Sequence, residues 1–185
     1  METIVTNTLV FLLTFLAMEG VGWLTHRYIM HGVGWFFHYD HHNPPADAVL
    51  QKNDLYCLVF SLPGVWLVYE GVQRGWGSSL LWAGIGISAY GMAYFYVHEG
   101  VIHRRFKFVP RLTHPYFVAI RHAHGAHHKT RGRQGAQCFG MLLVPPSFFI
   151  EAYRRQKVRV SQNSHSIARE ALSENSLTKE FNSFH

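Results

Sequence analysis

Ten of the chain's 14 histidines fall into four short clusters. They read HRYIMH (His26 and His31), HYDHH (His38, His41 and His42), HEGVIH (His98 and His103) and HGAHH (His124, His127 and His128), so an HX4H pair followed by an HX2HH triplet occurs twice. Neutral imidazole ligates Fe, Zn, Cu and Ni, so residue type alone leaves the metal open. Number and location narrow it. Ten imidazoles supply about five ligands to each of two ions, more than a closed tetrahedral zinc site uses. Two irons with open coordination positions are the economical reading. A lone histidine is ordinarily a core or surface residue, and His114, His165 and His185, which lack partners at ligand spacing, are read that way. His122 competes with His124, because His122 and His127 also make an HX4H pair. His124 is preferred because it completes the second HX2HH.

Position on a helix follows from spacing. Each residue advances about 100°, so His38, His41 and His42 share one face, and so do His124, His127 and His128. The i, i+5 pairs diverge by roughly 140° on a straight α-helix. His26 and His31, like His98 and His103, are therefore expected to serve two metals or to straddle a helix end. Ligating histidines commonly donate their distal N–H to a carboxylate, and Asp40, Asp54 and Glu99 are near enough in sequence to act so or to be solvated acids.

The elements that must carry these clusters are apolar. Hydrophobic residues make up 48% of the 185-residue chain and charged residues 15%, a shortage of charge that points to lipid. Residues 3–25 hold one charge, Glu19; residues 78–97 hold none; residues 55–73 hold only Glu70 and are interrupted by Pro63 and Gly64. Each is long enough to cross a hydrocarbon core of roughly 30 Å. The expected fold is an all-α, polytopic membrane bundle formed by residues 1–160, with residues 161–185 a polar, dispensable and disordered tail. A fourth apolar stretch, residues 136–150, contains Pro145 and Pro146, is short for a crossing and suits a re-entrant or interfacial segment. The first apolar run lacks the flanks of a cleaved signal peptide and is read as a retained span.

Three crossings put residues 26–54 and everything from 98 onward on one side, together with all four histidine clusters. That side also holds Arg27, Lys52, Arg104, Arg105, Lys107, Arg111, Arg121, Lys129, Arg131 and Arg133, against Arg74 on the other, so the positive-inside rule makes it cytoplasmic. Arg154, Arg155, Lys157 and Arg159 follow the fourth stretch and disfavour a single crossing there. The formal charge of +6 is accounted for by this asymmetry and does not indicate nucleic acid. Cys57 and Cys138 form no CxxC pair, and neither a disulfide nor a thiolate metal site is expected.

The histidine clusters resemble those of the fatty acid hydroxylase and carotenoid hydroxylase superfamily, and most closely those of bacterial beta-carotene hydroxylases. The resemblance covers roughly residues 15–150 and extends to HRYIMHG at 26–32, QKNDLY at 51–56 and FGMLLVPP at 139–146. It implies hydroxylation of C3 of the beta-ionone ring, taking beta-carotene through beta-cryptoxanthin to zeaxanthin with dioxygen and two electrons. Departures are NPPADAV after HYDHH, Glu99 where relatives often have Asp, and HAHGAHH at the fourth cluster. They leave the metal ligands intact and bear on regioselectivity. No flavin or nicotinamide fingerprint is present: Gly84-Ile85-Gly86 lies inside a span, outside any strand–turn–helix context. Electrons must then come from an external protein of ferredoxin type, for which the basic side is a docking surface unless its charges serve only lipid headgroups and topology.

Other readings keep the metal site and change the chemistry to a lipid or sterol hydroxylase, a desaturase or a carotenoid ketolase. A non-enzymatic membrane metal carrier or haem protein is a third class, disfavoured because the spans carry few polar residues near their middles. A carotenoid is too apolar to cross cytosol, so its ring is expected to reach the irons from the bilayer. Trp23, Leu24, Tyr94, Phe95 and Val97, one turn before His26 and His98, are the expected lining.

Overall fold

The computed structural model describes residues 1–45, 50–162 and Ser164, and all regular structure among them is helical. Helix α1 (Glu2–Leu24) continues into a π-helical segment, Thr25–Val33; α2 (Trp35–His42) follows after Gly34. A 3₁₀ turn, Lys52–Asp54, leads into α3 (Leu55–Gln73), and α4 (Ser79–Phe95) continues into a second π-helical segment, Tyr96–Ile102. Helix α5 is Pro115–His128, and residues 146–162 form a last helix, α6.

Three continuous helical stretches are long and apolar enough to cross a membrane: Glu2–Val33, Lys52–Gln73 and Ser79–Ile102. They coincide with the three runs read from the sequence. Helix α4 packs against both α1 and α3. Small residues set these contacts: a Cβ on Gly84 would lie 2.6 Å from the Val68 nitrogen, and one on Gly86 would lie 2.8 Å from the Phe11 carbonyl oxygen. Without an aqueous driving force between spans, such close backbone approach is what holds apolar helices together. The turn from α3 to α4 is short and uses Gly75 at φ 89°, a left-handed conformation that suits glycine. Asn7 donates to the Gly77 carbonyl at 3.3 Å, so the start of α1 and this turn share one end of the bundle. Both π-helical segments and the 3₁₀ turn lie at the other.

Residues 136–150 do not form a fourth spanning helix. Residues 129–145 run without regular structure, and Pro146 opens α6, where its missing N–H is no loss. Packing anchors the first turns of α6, and its exposed face carries an i,i+4 Glu151–Arg155 ion pair. Ala152, Phe148 and Phe149 join a cluster with Val97, Ala119, Ile120, Ala123, Met141 and Val144. This core props α5 beneath the histidines, whereas the spans keep apolar side chains such as Leu13, Leu62 and Met92 exposed. Of the tail read as residues 161–185, all but 161, 162 and 164 lies outside the described residues.

Candidate metal centre

The HX4H spacing is resolved by the winding of the backbone. In a π-helix the hydrogen bond runs from residue i+5 to residue i, which sets those two residues one turn apart. The His103 amide donates to the His98 carbonyl at 3.0 Å, a bond of that type between the two histidines themselves. His26 and His31 lie in the other π-helical segment, which ends at the non-helical Gly32 (φ −111°, ψ −120°) and the Gly34 amide bond to the Ile29 carbonyl at 2.8 Å. Each pair therefore faces one place. His26 and His31 go to one group, His98 and His103 to another; of the two expectations, division between two metals or straddling a helix end, the second fits, with His103 the C-cap of its segment and His31 just ahead of the non-helical Gly32.

The HX2HH triplets divide instead. Nitrogens of His26, His31, His38, His42 and His127 lie within 4.8 Å of one another, and so do those of His41, His98, His103 and His124. Helix α2 gives His38 and His42 to the first group and its middle histidine, His41, to the second. Helix α5 gives His127 to the first and His124 to the second. His128 stands with its ring centroid 4.4 Å from His124, 4.7 Å from His41 and 5.2 Å from His103, alongside the second group, and stacks on His42 of the first at 4.4 Å. The two facing helices thus exchange their middle histidines. His122 is half-buried outside both groups. His114 caps α5, its Nδ1 accepting from the Tyr116 amide at 3.3 Å. His165 and His185 lie outside the described residues.

Tautomers follow from the outer partners. His26 Nδ1 meets the Phe139 carbonyl oxygen at 3.0 Å, His31 Nδ1 that of Arg133 at 3.0 Å, His42 Nδ1 that of Thr130 at 2.9 Å and His127 Nδ1 that of Gln137 at 2.8 Å. Side-chain oxygens serve His38 (Asn53 Oδ1, 2.6 Å), His41 (Gln51 Oε1, 3.0 Å) and His98 (Glu99 Oε1, 2.6 Å). Each of these oxygens accepts, so each Nδ1 carries the proton and each Nε2 presents a bare lone pair. Yet the Nε2 atoms converge: His26 and His38 at 3.2 Å, His31 and His127 at 3.2 Å, His127 and His42 at 3.1 Å, His41 and His98 at 3.1 Å. Lone pairs so opposed repel unless a cation lies among them. Metal–nitrogen bonds of about 2.0–2.1 Å would hold nitrogens at about these separations. The His128 Nε2 adds a buried atom with no hydrogen-bond partner. The donor set fits two metal ions.

Burial and the facing imidazoles keep the rings neutral, the form that ligates. Burial, opposed by the Gln137 carbonyl, brings His127 down to about 3, and burial with the facing His98 ring brings His103 to about 3. Burial and the facing His31 ring push His42 down to about 4, and burial holds His41 and His124 well below the usual imidazole range.

Among the described carboxylates, Glu99 alone is hydrogen-bonded to a clustered histidine. Arg105 ties Glu99 (2.8 Å) to Asp54 (3.0 Å), while Asp54 accepts from the Gln51 amide and Asp40 from the Lys52 amide, so these two acids fix the 3₁₀ turn. That turn in turn presents Gln51 and Asn53. These orienting amides lie in the QKNDLY run, whose polar residues just ahead of a span were the available signal. Apart from Glu99, the other orienting groups are main-chain carbonyls that no side-chain pattern announces. Two of them, on Gln137 and Phe139, reach His127 and His26 across Cys138, which adopts φ 58°, a conformation uncommon for a non-glycine residue and found where geometry is imposed by a site. Glu19 anchors the following turn: its carboxylate accepts from the amides of Met141 (2.9 Å), Leu142 (3.0 Å) and Leu143 (2.9 Å) and from the Tyr90 hydroxyl (2.7 Å). The single charge of the first apolar run is thus a latch between α1 and the segment that orients His26.

The family model described as fatty acid hydroxylase matches residues 11–145, the stretch that contains every clustered histidine. The chain belongs to the fatty acid hydroxylase family. Within that family it is similar to proteins named beta-carotene hydroxylase: one from Pantoea ananas, 39% identical over 82% of this chain and 85% of the relative, and one from Paracoccus sp. (strain N81106 / MBIC 01143), 39% identical over 76% and 86%. A chloroplastic beta-carotene 3-hydroxylase from an Oncidium hybrid cultivar is 43% identical over 60% of this chain and 37% of its own length. No solved structure matches the chain.

Beside the second histidine group, this member of the fatty acid hydroxylase family has a cavity of about 380 Å³ that reaches His98 and Glu99. Of the residues expected to line an approach from lipid, Tyr94 and Phe95 do so. The other three do not. Val97 is buried in the core under α5, Leu24 is exposed, and Trp23 borders a separate hollow with Arg27 and Phe139. Val97 precedes His98 by one residue, about 100° round the helix, so the two do not share a face.

Proposed function

We propose that the chain is a multi-pass membrane hydroxylase acting on carotenoids, with two irons held by the ten histidines. His26, His31, His38, His42 and His127 hold one; His41, His98, His103, His124 and His128 hold the other. The observation that carries the reading is the convergence of bare, outward-braced Nε2 atoms into two groups. The named activity of the relatives supplies the substrate class. An unactivated ring C–H requires an oxidant that side-chain acids and bases do not furnish, and bound iron supplies dioxygen activation. In balance, one dioxygen, two electrons and two protons convert the C–H to C–OH with release of water. The reaction is assigned to C3 of each beta-ionone ring, converting beta-carotene through beta-cryptoxanthin to zeaxanthin.

The chain's own residues do the positioning. Glu99, Gln51, Asn53 and the carbonyls of residues 130–139 fix the ring tautomers and aim the lone pairs. The histidine end of the bundle is assigned to the cytoplasm from its excess of Lys and Arg. A ferredoxin-type protein delivers the electrons there, drawn to Arg27, Lys129, Arg131 and Arg133. Pigment analysis after expression in a beta-carotene-producing bacterium is the test. Zeaxanthin is the expected product; canthaxanthin or unchanged carotene from iron-loaded protein contradicts the assignment.

A further inference from the structure

Three helical stripes converge on the cavity that ends at His98. Helix α4 contributes Ile87, Gly91, Tyr94 and Phe95, at the i, i+4, i+7 and i+8 spacing of one face. Helix α3 contributes Cys57, Phe60, Ser61 and Val65 with the same periodicity, and α1 adds Met18 and Gly22. From Ile87 to His98 the stripe on α4 is eleven residues, about 16 Å at 1.5 Å per residue. The walls are mostly apolar along this length. The hydroxyls of Ser61, Ser88 and Tyr90 on these walls donate to the Leu58 and Gly84 carbonyls and to Glu19, and the carboxylates gather at the inner end, where Glu99 and Asp54 border the space with His98 and Asn53. At the outer end Val65 (62% exposed) and Met92 (69% exposed) stand near the middles of their spans, so the mouth opens at the level of lipid.

We infer that this cleft is the binding site for one terminal ring and the adjoining polyene of the substrate, admitted sideways from the bilayer and presented to the His41, His98, His103 and His124 group. The inference rests on the carotenoid reading above and adds to it the site, the direction of approach and the nearer metal group. The volume of about 380 Å³ lies at the small end of ligand pockets, which run about 300–1,000 Å³. It admits a ring with part of a chain, so a molecule with a ring at each end leaves its remainder in lipid and must turn round before its second hydroxylation. Burying the ring and chain against apolar walls supplies the affinity, and only the last atoms meet the carboxylates.

Gly91 sets the width of the cleft. A Cβ built on it meets nothing within 4 Å, although Gly91 lies on the α4 stripe that faces the cavity. A larger side chain there projects into the space intended for substrate and disturbs no packing. Gly91→Leu is therefore the informative variant, with Ser61→Trp entering from the opposite wall. Leu62→Trp, on the exposed lipid face of the same helix, is the control.

The experiment uses the full chain in nanodiscs, with iron content, induced circular dichroism of bound beta-carotene and turnover measured on each variant. The expected result is that Gly91→Leu and Ser61→Trp retain wild-type iron, lose the induced polyene signal and fall at least tenfold in turnover, while Leu62→Trp matches wild type in all three. Wild-type binding and turnover in both cleft variants overturns the cleft and leaves the carotenoid reading standing. Iron-loaded wild type that neither binds nor hydroxylates carotene overturns both.

Discussion

The two histidine groups are braced by different materials. Four of the five rings in the first group lean on main-chain carbonyls of residues 130–139, and the fifth leans on the Asn53 amide. In the second group two rings are braced by side chains, Gln51 behind His41 and the Glu99 carboxylate behind His98, with Glu99 tied through Arg105 to Asp54, while the buried His124 Nδ1 has no hydrogen-bond partner. A carboxylate behind an imidazole raises its basicity as a ligand, whereas a neutral carbonyl fixes orientation with less polarisation. The first group is thus held by the shape of a loop and the second by a charge network. The group with the charge network is also the one that borders the apolar cleft.

The largest expected effect comes from removing a ligand. His127→Ala removes a first-group ligand and His41→Ala a second-group ligand, and each should lose about half the bound iron and all turnover. Metal analysis of the purified variants checks this, and loss of all iron from either would show that the groups do not load independently. Next, Glu99→Gln keeps an oxygen for the His98 N–H and deletes the charge. Metal affinity of the second group should fall about 10–100-fold, the usual cost of losing an outer partner, with the first group unaffected. Competition with a chelator reads both affinities, and an equal fall in the two would break the proposed contrast.

The loop that braces the first group depends on Glu19. Glu19→Ala leaves the amides of Met141, Leu142 and Leu143 without their acceptor. It should destabilise by about 1–3 kcal/mol and speed hydrogen exchange at those amides, with metal loss biased to the first group. A thermal melt together with exchange mass spectrometry separates this from a general loss of fold.

Acid should act on both groups. His42 titrates near 4 and His103 and His127 near 3 in the folded chain, against about 6.5 unfolded, so the unfolded chain binds more protons between those values. Stability from these neutral rings is complete above about pH 6.5 and declines as pH falls toward 4. Iron retention after dialysis should be flat from pH 8 to about 6.5 and drop below it. The smallest effect is expected at His122, outside both groups: His122→Ala should keep iron and turnover within about twofold of wild type.

Much of this was legible in advance. The three spans and the gathering of clustered histidines at one end of the bundle followed from hydropathy and repeated spacing, and the structure puts His124 among the gathered rings with His122 outside them. The sharing of ligands did not. Straight-helix geometry divides His98 from His103, and only the π-wound backbone, specified by tertiary context, reunites them. Nor does a single helix show that its i+3 histidine will cross to the other group, since that depends on where α2 and α5 face each other. The carbonyl braces of residues 130–139 are invisible for a simpler reason: a main-chain oxygen has the same chemistry in every residue, and only the fold decides which ones point at a ring.

The central claim is that this chain holds two irons in two unlike histidine environments. Mössbauer spectroscopy of protein loaded with iron-57 and reduced is the most direct measurement. Two quadrupole doublets of equal area are predicted, with Glu99→Gln shifting one of them and leaving the other in place. A single doublet at one iron per chain, or fully active protein carrying stoichiometric zinc in place of iron, would contradict it.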